Sequence, residues 1–301
     1  MEHLAWIAVD WGTSHLRAFA MDAGGHVLDK AQSRDGMGTL SQDAFEPALL
    51  RLVGHWLGSD PVTVLACGMV GARQGWIEAA YQSVPCKPAE TGVTRAPTRD
   101  PRLNMLILPG LSQASPPDVM RGEETQILGA LARNPDFDGV IALPGTHTKW
   151  AHISAGEVVS FQTVMTGELF ALLAEHSVLR HSVSSTDLDS DAFDAAIAET
   201  LSRPERLAQS LFGIRAASLL SDQSDSLARG RLSGLLIGAE LAATRPYWLG
   251  REIAIVGAPA MADLYARALK PQGVAATIHP GDDLTLMGLC LAYETLRKAA
   301  T

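Results

Sequence analysis

Residues 10–17 read Asp10-Trp11-Gly12-Thr13-Ser14-His15-Leu16-Arg17, a carboxylate followed by a glycine and two hydroxyl residues between apolar stretches. Such a turn suits a phosphate. Gly12 lets the backbone approach closely, the backbone N–H groups and hydroxyls of Thr13 and Ser14 donate to phosphate oxygens, and Asp10 can hold Mg²⁺. The same residues also make ordinary hairpin turns, so the motif needs support from elsewhere in the chain. It comes at Leu143-Pro144-Gly145-Thr146-His147-Thr148-Lys149-Trp150, again after an apolar stretch (139–143). After each Gly-Thr pair the pattern predicts a second strand, a glycine turn and a third strand. These are 16–21, Gly24-Gly25 and 26–31 in one copy, and 149–154, Gly156 and 157–163 in the other. Two half-chains that open alike imply a duplicated domain clamping one polyphosphate. His147 joins the second phosphate set. Lys149 either pairs with phosphate or decorates a strand.

Three further segments carry chemistry. Ile253-Ala254-Ile255-Val256 runs into Gly257-Ala258-Pro259, where small residues before a helix let a sugar or ring lie against the backbone. Arg121-Gly122-Glu123-Glu124-Thr125-Gln126 places two carboxylates in one helical turn. They favour the helix dipole by roughly 0.3–1 kcal/mol each, or one of them, Glu124 ahead of Glu123, accepts the proton of an acceptor hydroxyl. In the loop Gly68-Met69-Val70-Gly71-Ala72-Arg73-Gln74-Gly75-Trp76, Arg73 offers a planar fork to a carboxylate and Gln74 a donor and an acceptor. Trp76 offers a flat wall for a carbon chain, or anchors a surface loop. Arg17 is added as a substrate contact. Met165-Thr166-Gly167-Glu168 reads as a helix cap.

These residues need strands ending at the turns and helices behind them. The patterning predicts strands at 4–9, 61–67, 104–108, 252–256 and 274–278, besides the two hairpin sets. Helices are predicted at 42–57, 118–133, 167–177, 187–201, 203–220, 225–243, 261–269 and 283–298, with an ordered excursion at 81–102. Strands followed by helices, twice over, indicate an α/β class with two related domains, 1–137 and 138–301, and a cleft between them. The last helix is expected to be able to pack back on the first domain.

The chain's 301 residues suit two domains, and 47% hydrophobic with 19% charged content is that of a globular protein with ample core. A net charge of −9 argues against nucleic-acid partners but leaves room for a locally bound anion. No leader or membrane-spanning run is legible, and three scattered cysteines make neither disulfides nor a zinc cluster. The expectation is a reduced cytoplasmic protein without membrane partners. A homodimer is compatible with it.

Taken together, these segments resemble the actin/hexokinase/Hsp70 ATPase superfamily. Within it the chain is most similar to the 2-dehydro-3-deoxygalactonokinase family, on residues 10–17, 68–76, 121–126, 143–150 and 165–168. The resemblance implies two ribonuclease H-like domains and transfer from MgATP to the terminal hydroxyl of 2-dehydro-3-deoxy-D-galactonate in sugar-acid catabolism. ATP phosphates would lie on Gly12, Thr13, Ser14, Gly145 and Thr146, with Mg²⁺ on Asp10 through water. Adenosine would lie by Gly257 and Ala258, the acid on Arg73, Gln74 and Trp76, and Glu124 or Glu123 would act as base. The Gly257-Ala258-Pro259 turn departs from the superfamily's paired glycines. The Glu-Glu helix start is closer to the exopolyphosphatase branch, so a phosphohydrolase is the rival enzyme. A kinase for the gluco epimer is the rival substrate reading, and a nucleotide-switched regulator the rival class.

Overall fold

A computed structural model describes residues 1–88 and 92–299. The chain opens with β1 (Trp6–Trp11), β2 (Leu16–Met21), β3 (Val27–Ser33), α1 (Phe45–Val53) and β4 (Val62–Gly68). Next come β5 (Tyr81–Ser83), β6 (Thr94–Arg95), β7 (Leu103–Ile107), β8 (Gly110–Gln113), β9 (Asp118–Met120) and α2 (Glu123–Arg133). The pattern then restarts with β10 (Gly139–Leu143), β11 (Thr148–Ser154), β12 (Glu157–Val164) and α3 (Thr166–His176). After it come α4 (Ser190–Ser202), α5 (Leu207–Leu220), α6 (Asp225–Ala243) and α7 (Arg245–Trp248). β13 (Ile253–Gly257), α8 (Pro259–Leu269), β14 (Thr277–Pro280) and α9 (Gly281–Ala299) complete the chain.

Two compact units result. One comprises residues 1–138, 153–160 and 281–301, the other 139–152 and 161–280. The first carries a six-stranded sheet in the order β3-β2-β1-β4-β7-β6. β2 is antiparallel to β1 and β3, whereas β1, β4 and β7 run parallel. Strands buried on both faces read as apolar runs, as Trp6–Val9 of β1 and Val64–Cys67 of β4 do; Asp10 interrupts the run near the end of β1. One face packs Ile7, Val9 and Val64 against Phe45 and Leu49 of α1. The other packs Trp6, Ala8 and Leu65 against Leu289 and Ala292 of α9, where Trp6 stacks on Tyr293 with ring centroids 4.1 Å apart.

The second unit repeats the design, with sheet order β12-β11-β10-β13-β14. Each sheet thus places three hairpin-connected strands first and parallel strands after them, the ribonuclease H-like order, and the α/β class read from the sequence holds. Gly230, Gly234 and Gly238 line one side of α6, and a Cβ at Gly234 would come within 2.3 Å of Phe193 O on α4. That stripe lets the two helices touch backbone to backbone.

Two expectations need correcting. The helix expected over 118–133 starts only at Glu123, and 118–120 instead form β9, paired antiparallel with β8. Gly122, at φ 107°, reverses the chain between them, and no helix passes through that conformation. The excursion 81–102 contributes β5, which joins β8 and β9 in a small sheet, and β6, which pairs with β7. Residues 89–91 of that excursion lie outside the described residues. Strands of two or three residues have no periodicity to read, so only their partners reveal them.

Candidate active site

In the first unit, β1 ends at Trp11, one residue past Asp10, and β4 at Gly68, with Asp10 in register with Cys67 and Trp11 with Gly68. The turn that follows β1 is exposed at Thr13, Ser14 and His15. Its carbonyls are drawn backwards: the Met37 amide donates to Gly12 O at 3.0 Å and the Gly38 amide to Thr13 O at 2.9 Å. Tying back the oxygens that would repel an anion leaves hydroxyls and amides to face outward, the arrangement an anion needs.

Asp10 is largely buried and bonded to the Arg17 guanidinium at 2.5 Å, and Arg17 also bonds Asp282 at the start of α9. Burial raises the Asp10 carboxyl above its usual range, against the pull of Arg17. Arg17, expected as a substrate contact, is therefore engaged by two carboxylates. No group of three or more His, Cys, Asp or Glu residues gathers to hold a metal among the described residues. Mg²⁺ is characteristically held by one or two carboxylates together with substrate phosphate oxygens, and Asp10 beside an exposed phosphate-type turn fits that donor set.

Glu124 approaches from α2. Gly122 packs on Gly68, where an added Cβ would sit 3.3 Å from Gly68 Cα, and Gly68 itself passes close to Trp11 O and Asp10 Oδ1. Glu124 is 1% exposed and takes the Gly122 amide on both oxygens, at 2.9 and 2.7 Å. Burial, with the Glu123 charge beside it, pushes its pKa up to about 8. Glu123 is half-buried and accepts from the Arg121 amide at 3.1 Å. Cys67 links the pair of nominated carboxylates: its thiol is raised first by burial, then by the charges of Asp10 and Glu124. One carboxyl paired with a guanidinium and another whose pKa is pushed up to about 8 differ in environment as a metal ligand and a proton acceptor would.

The 68–76 loop differs from its expectation. Trp76 is 6% exposed and packs with Trp11 and Phe45, ring centroids 6.3 and 6.4 Å away. Most of its bulk is core, and its remaining surface lines a cavity of about 960 Å³ together with Gln42, Pro47 and Pro97. Burying an indole in an aromatic cluster offers more than solvent exposure does, each such pair adding about 0.5–1.5 kcal/mol beyond area. Arg73 and Gln74 are exposed, with Arg73 Nε 3.3 Å from Glu78.

In the second unit the Gly145-Thr146-His147 turn is exposed and is backed as the first one is. The Glu168 amide donates to Thr146 O at 2.9 Å, and His147 Nε2 lies 2.5 Å from Glu168 Oε2. The segment 165–168 is thus not a simple cap; Met165 makes no capping bond, and Gly167 presses on the turn. A Cβ at Gly167 would stand 2.2 Å from Gly145 O. Gly167→Ala must therefore push the turn out of place. We expect KM for the nucleotide to rise about 10-fold or more while the Tm falls by only a few degrees, measured by steady-state kinetics and calorimetry.

Lys149 departs from the phosphate role: it is buried in β11, with Nζ donating to Thr163 at 2.9 Å. A strand position facing inward cannot also display its ammonium at the turn. Beside the turn lies a cavity of about 380 Å³, lined among others by Gly145, Gly167, Phe170, Ile237, Met261 and Tyr265. Gly257 abuts Pro144 at the cavity's edge of the sheet, and the α8 residues Ala260 and Met261 line the cavity itself. A mostly apolar hollow of this size at a helix N-terminus suits a nucleoside.

Sequence reasoning missed Glu240, the buried hub behind this cavity. It accepts from Trp150 Nε1 at 2.8 Å, from Tyr265 OH at 2.7 Å and from Thr166 Oγ1. Nothing local marks it, because its donors come from β11, α3 and α8. Glu240→Ala leaves the buried Trp150 and Thr166 donors without an acceptor, while Tyr265 keeps Thr148 as a partner, so thermal unfolding should show a loss of roughly 2 kcal/mol or more.

Comparison with known proteins identifies the family. The model of the family described as 2-keto-3-deoxy-galactonokinase matches residues 10–292. The chain is 37% identical to a protein of Rhizobium meliloti (strain 1021) named "Probable 2-dehydro-3-deoxygalactonokinase", over 97% of each chain. It is 36% identical to the 2-dehydro-3-deoxygalactonokinase of Escherichia coli (strain K12), over 94% of this chain and 96% of that one. A crystal structure from Sinorhizobium meliloti, of a protein assigned by name only to the same activity, superposes with a TM-score of 0.90. Its sequence identity is 36%, and the match covers 97% of this chain and 99% of that one.

Proposed function

The chain belongs to the 2-keto-3-deoxy-galactonokinase family, and from that premise we propose that it transfers the γ-phosphoryl group of MgATP to the terminal hydroxyl of 2-dehydro-3-deoxy-D-galactonate. The observation that carries this reading is the pair Asp10 and Glu124, both of whose charges act on Cys67, one paired with a guanidinium and one with its pKa pushed up to about 8.

Thr13 and Ser14 in one unit, and Gly145, Thr146 and His147 in the other, supply donors to the phosphates. Gly257 and Ala258 border the adenosine hollow. Asp10 would hold Mg²⁺ through water, and the metal would supply neutralisation of the phosphate charge. Glu124 receives the hydroxyl proton, with Glu123 the alternative acceptor. Arg73 and Gln74 contact the acid. No helix among the described residues is long and apolar enough to cross a membrane, and the sugar-acid kinase reading is one of action in the cytoplasm.

The test is a panel of 2-keto-3-deoxy acids, galacto and gluco epimers included, in a coupled assay of ADP release. Release that depends on the galacto acid, at a kcat/KM at least ~10-fold above its epimer, is expected; a difference of that size needs only about 1.4 kcal/mol in the transition state. ADP and phosphate release independent of any acid would instead identify a phosphohydrolase.

A further inference from the structure

We infer that Arg121, not an exposed arginine of the 68–76 loop, takes the carboxylate of the acid substrate. The inference rests on the kinase reading above for the identity of that acid. Arg121 is 8% exposed, and its guanidinium makes one protein bond, from Nη2 to Ala79 O at 2.8 Å. Nε and Nη1 are buried and have no partner among the described residues. Between them they carry three of the five N–H groups of a side chain that keeps its charge at every pH a protein survives.

A permanent cation with most of its donors unmade is among the costliest things a fold can bury, and it is tolerated where a ligand completes it. The neighbouring carboxylates do not complete it. Glu124 is engaged by the Gly122 amide, and Glu123 accepts from the Arg121 amide rather than from the guanidinium nitrogens that stand bare.

The bare edge faces the loop that the sequence nominated for acid binding. Gly71 of that loop has no side chain over Nη1; a Cβ there would stand 2.9 Å from it. On the other side Tyr81 lies across the guanidinium, its ring centroid 4.2 Å from Cζ. Tyr81 is 39% exposed, and its ring meets the guanidinium in a cation–π contact. Arg73, by contrast, is exposed and already beside Glu78, where solvent screens any ion pair it makes. A carboxylate held inside the fold at Arg121 also starts from the residue that leads into Gly122 and Glu124. Binding one end of the acid would thus be tied to the segment that carries the proton acceptor.

The experiment compares the galacto acid with its primary amide, which keeps the shape and loses the charge, in the wild type, Arg121→Met and Arg121→Lys. We expect the wild type to prefer the acid by about 10²-fold or more in kcat/KM, and Arg121→Met to lose that preference by raising KM for the acid alone. KM for ATP should stay within about 3-fold, and Arg121→Lys should fall between in the acid-to-amide ratio, because it keeps charge without the fork. Thermal shift by the acid without ATP gives a second reading: a shift in the wild type and none in Arg121→Met. A variant that keeps both the preference and the shift overturns the inference, as does a wild type that the acid fails to shift. If Arg121→Met does not fold, Arg121→Lys decides by the same ratio. A wild type that the acid shifts but does not turn over defeats the kinase reading, and the Arg121→Met shift still decides the role of Arg121.

Discussion

Glu124→Gln lowers kcat by about 10²–10⁴-fold, the range general-base assistance supplies, with KM for both substrates changed far less. Three observations set that expectation. The carboxyl is buried against the turn that carries Gly68, it sits beside the same thiol as Asp10, and its proton is held to about pH 8. A base works deprotonated, so kcat/KM of the wild type should climb as pH rises through about 8, and that limb should vanish in the variant. Stability moves the opposite way. Between the ordinary value of 4.5 and about 8 the folded protein binds a proton the unfolded chain has released, so wild-type stability falls as pH rises across that window. Gln, neutral throughout, escapes the penalty: calorimetry should find Glu124→Gln more thermostable by roughly 3 °C or more near pH 8, with the advantage shrinking toward pH 5. A kcat loss below ~10-fold, under about 1.4 kcal/mol, is too small for a base and transfers the role to Glu123, whose Gln variant is made alongside.

Asp10→Asn lowers kcat/KM by about 10²–10³-fold, and raised Mg²⁺ restores part of it. The carboxylate lies where β1 ends, beside a turn whose carbonyls are bonded from behind, and Arg17 neutralises it in the meantime. A metal arriving on Asp10 needs the guanidinium to give way, and Asp282, exposed at the first turn of α9, is the partner already in place to keep it. Asn keeps the shape and loses the charge, so the deficit reads out metal binding rather than packing. Activity unchanged across a Mg²⁺ titration removes Asp10 from the metal site.

The two Gly-Thr turns were legible from the first residues onward, because a glycine between hydroxyls after an apolar strand is a local pattern. What holds them was not. Gly38 behind Thr13 and Glu168 behind Thr146 make the same bond in the two units, yet each reaches its turn from a segment whose sequence says something blander. Trp76 and Lys149 show the converse limit: their types suit a ligand, but both are largely buried, and a residue type cannot say which way its side chain faces. The start of α2 was misplaced by five residues for a similar reason: the apolar pattern continues through 118–120, and only the positive φ of Gly122 ends it.

By itself, then, the order of residues determined the α/β class, the duplicated hairpin-first strand order, the exposed phosphate-type turns and the segment that carries the carboxylates. These follow from periodicity and from turn chemistry, which act over a few residues. Tertiary structure alone decided which carboxyl holds its proton, which arginine is left with bare donors, and that Glu240 ties β11, α3 and α8 around one hollow. Those properties depend on desolvation and on partners brought from distant parts of the chain, and neither exists until the sheets and helices have closed around them.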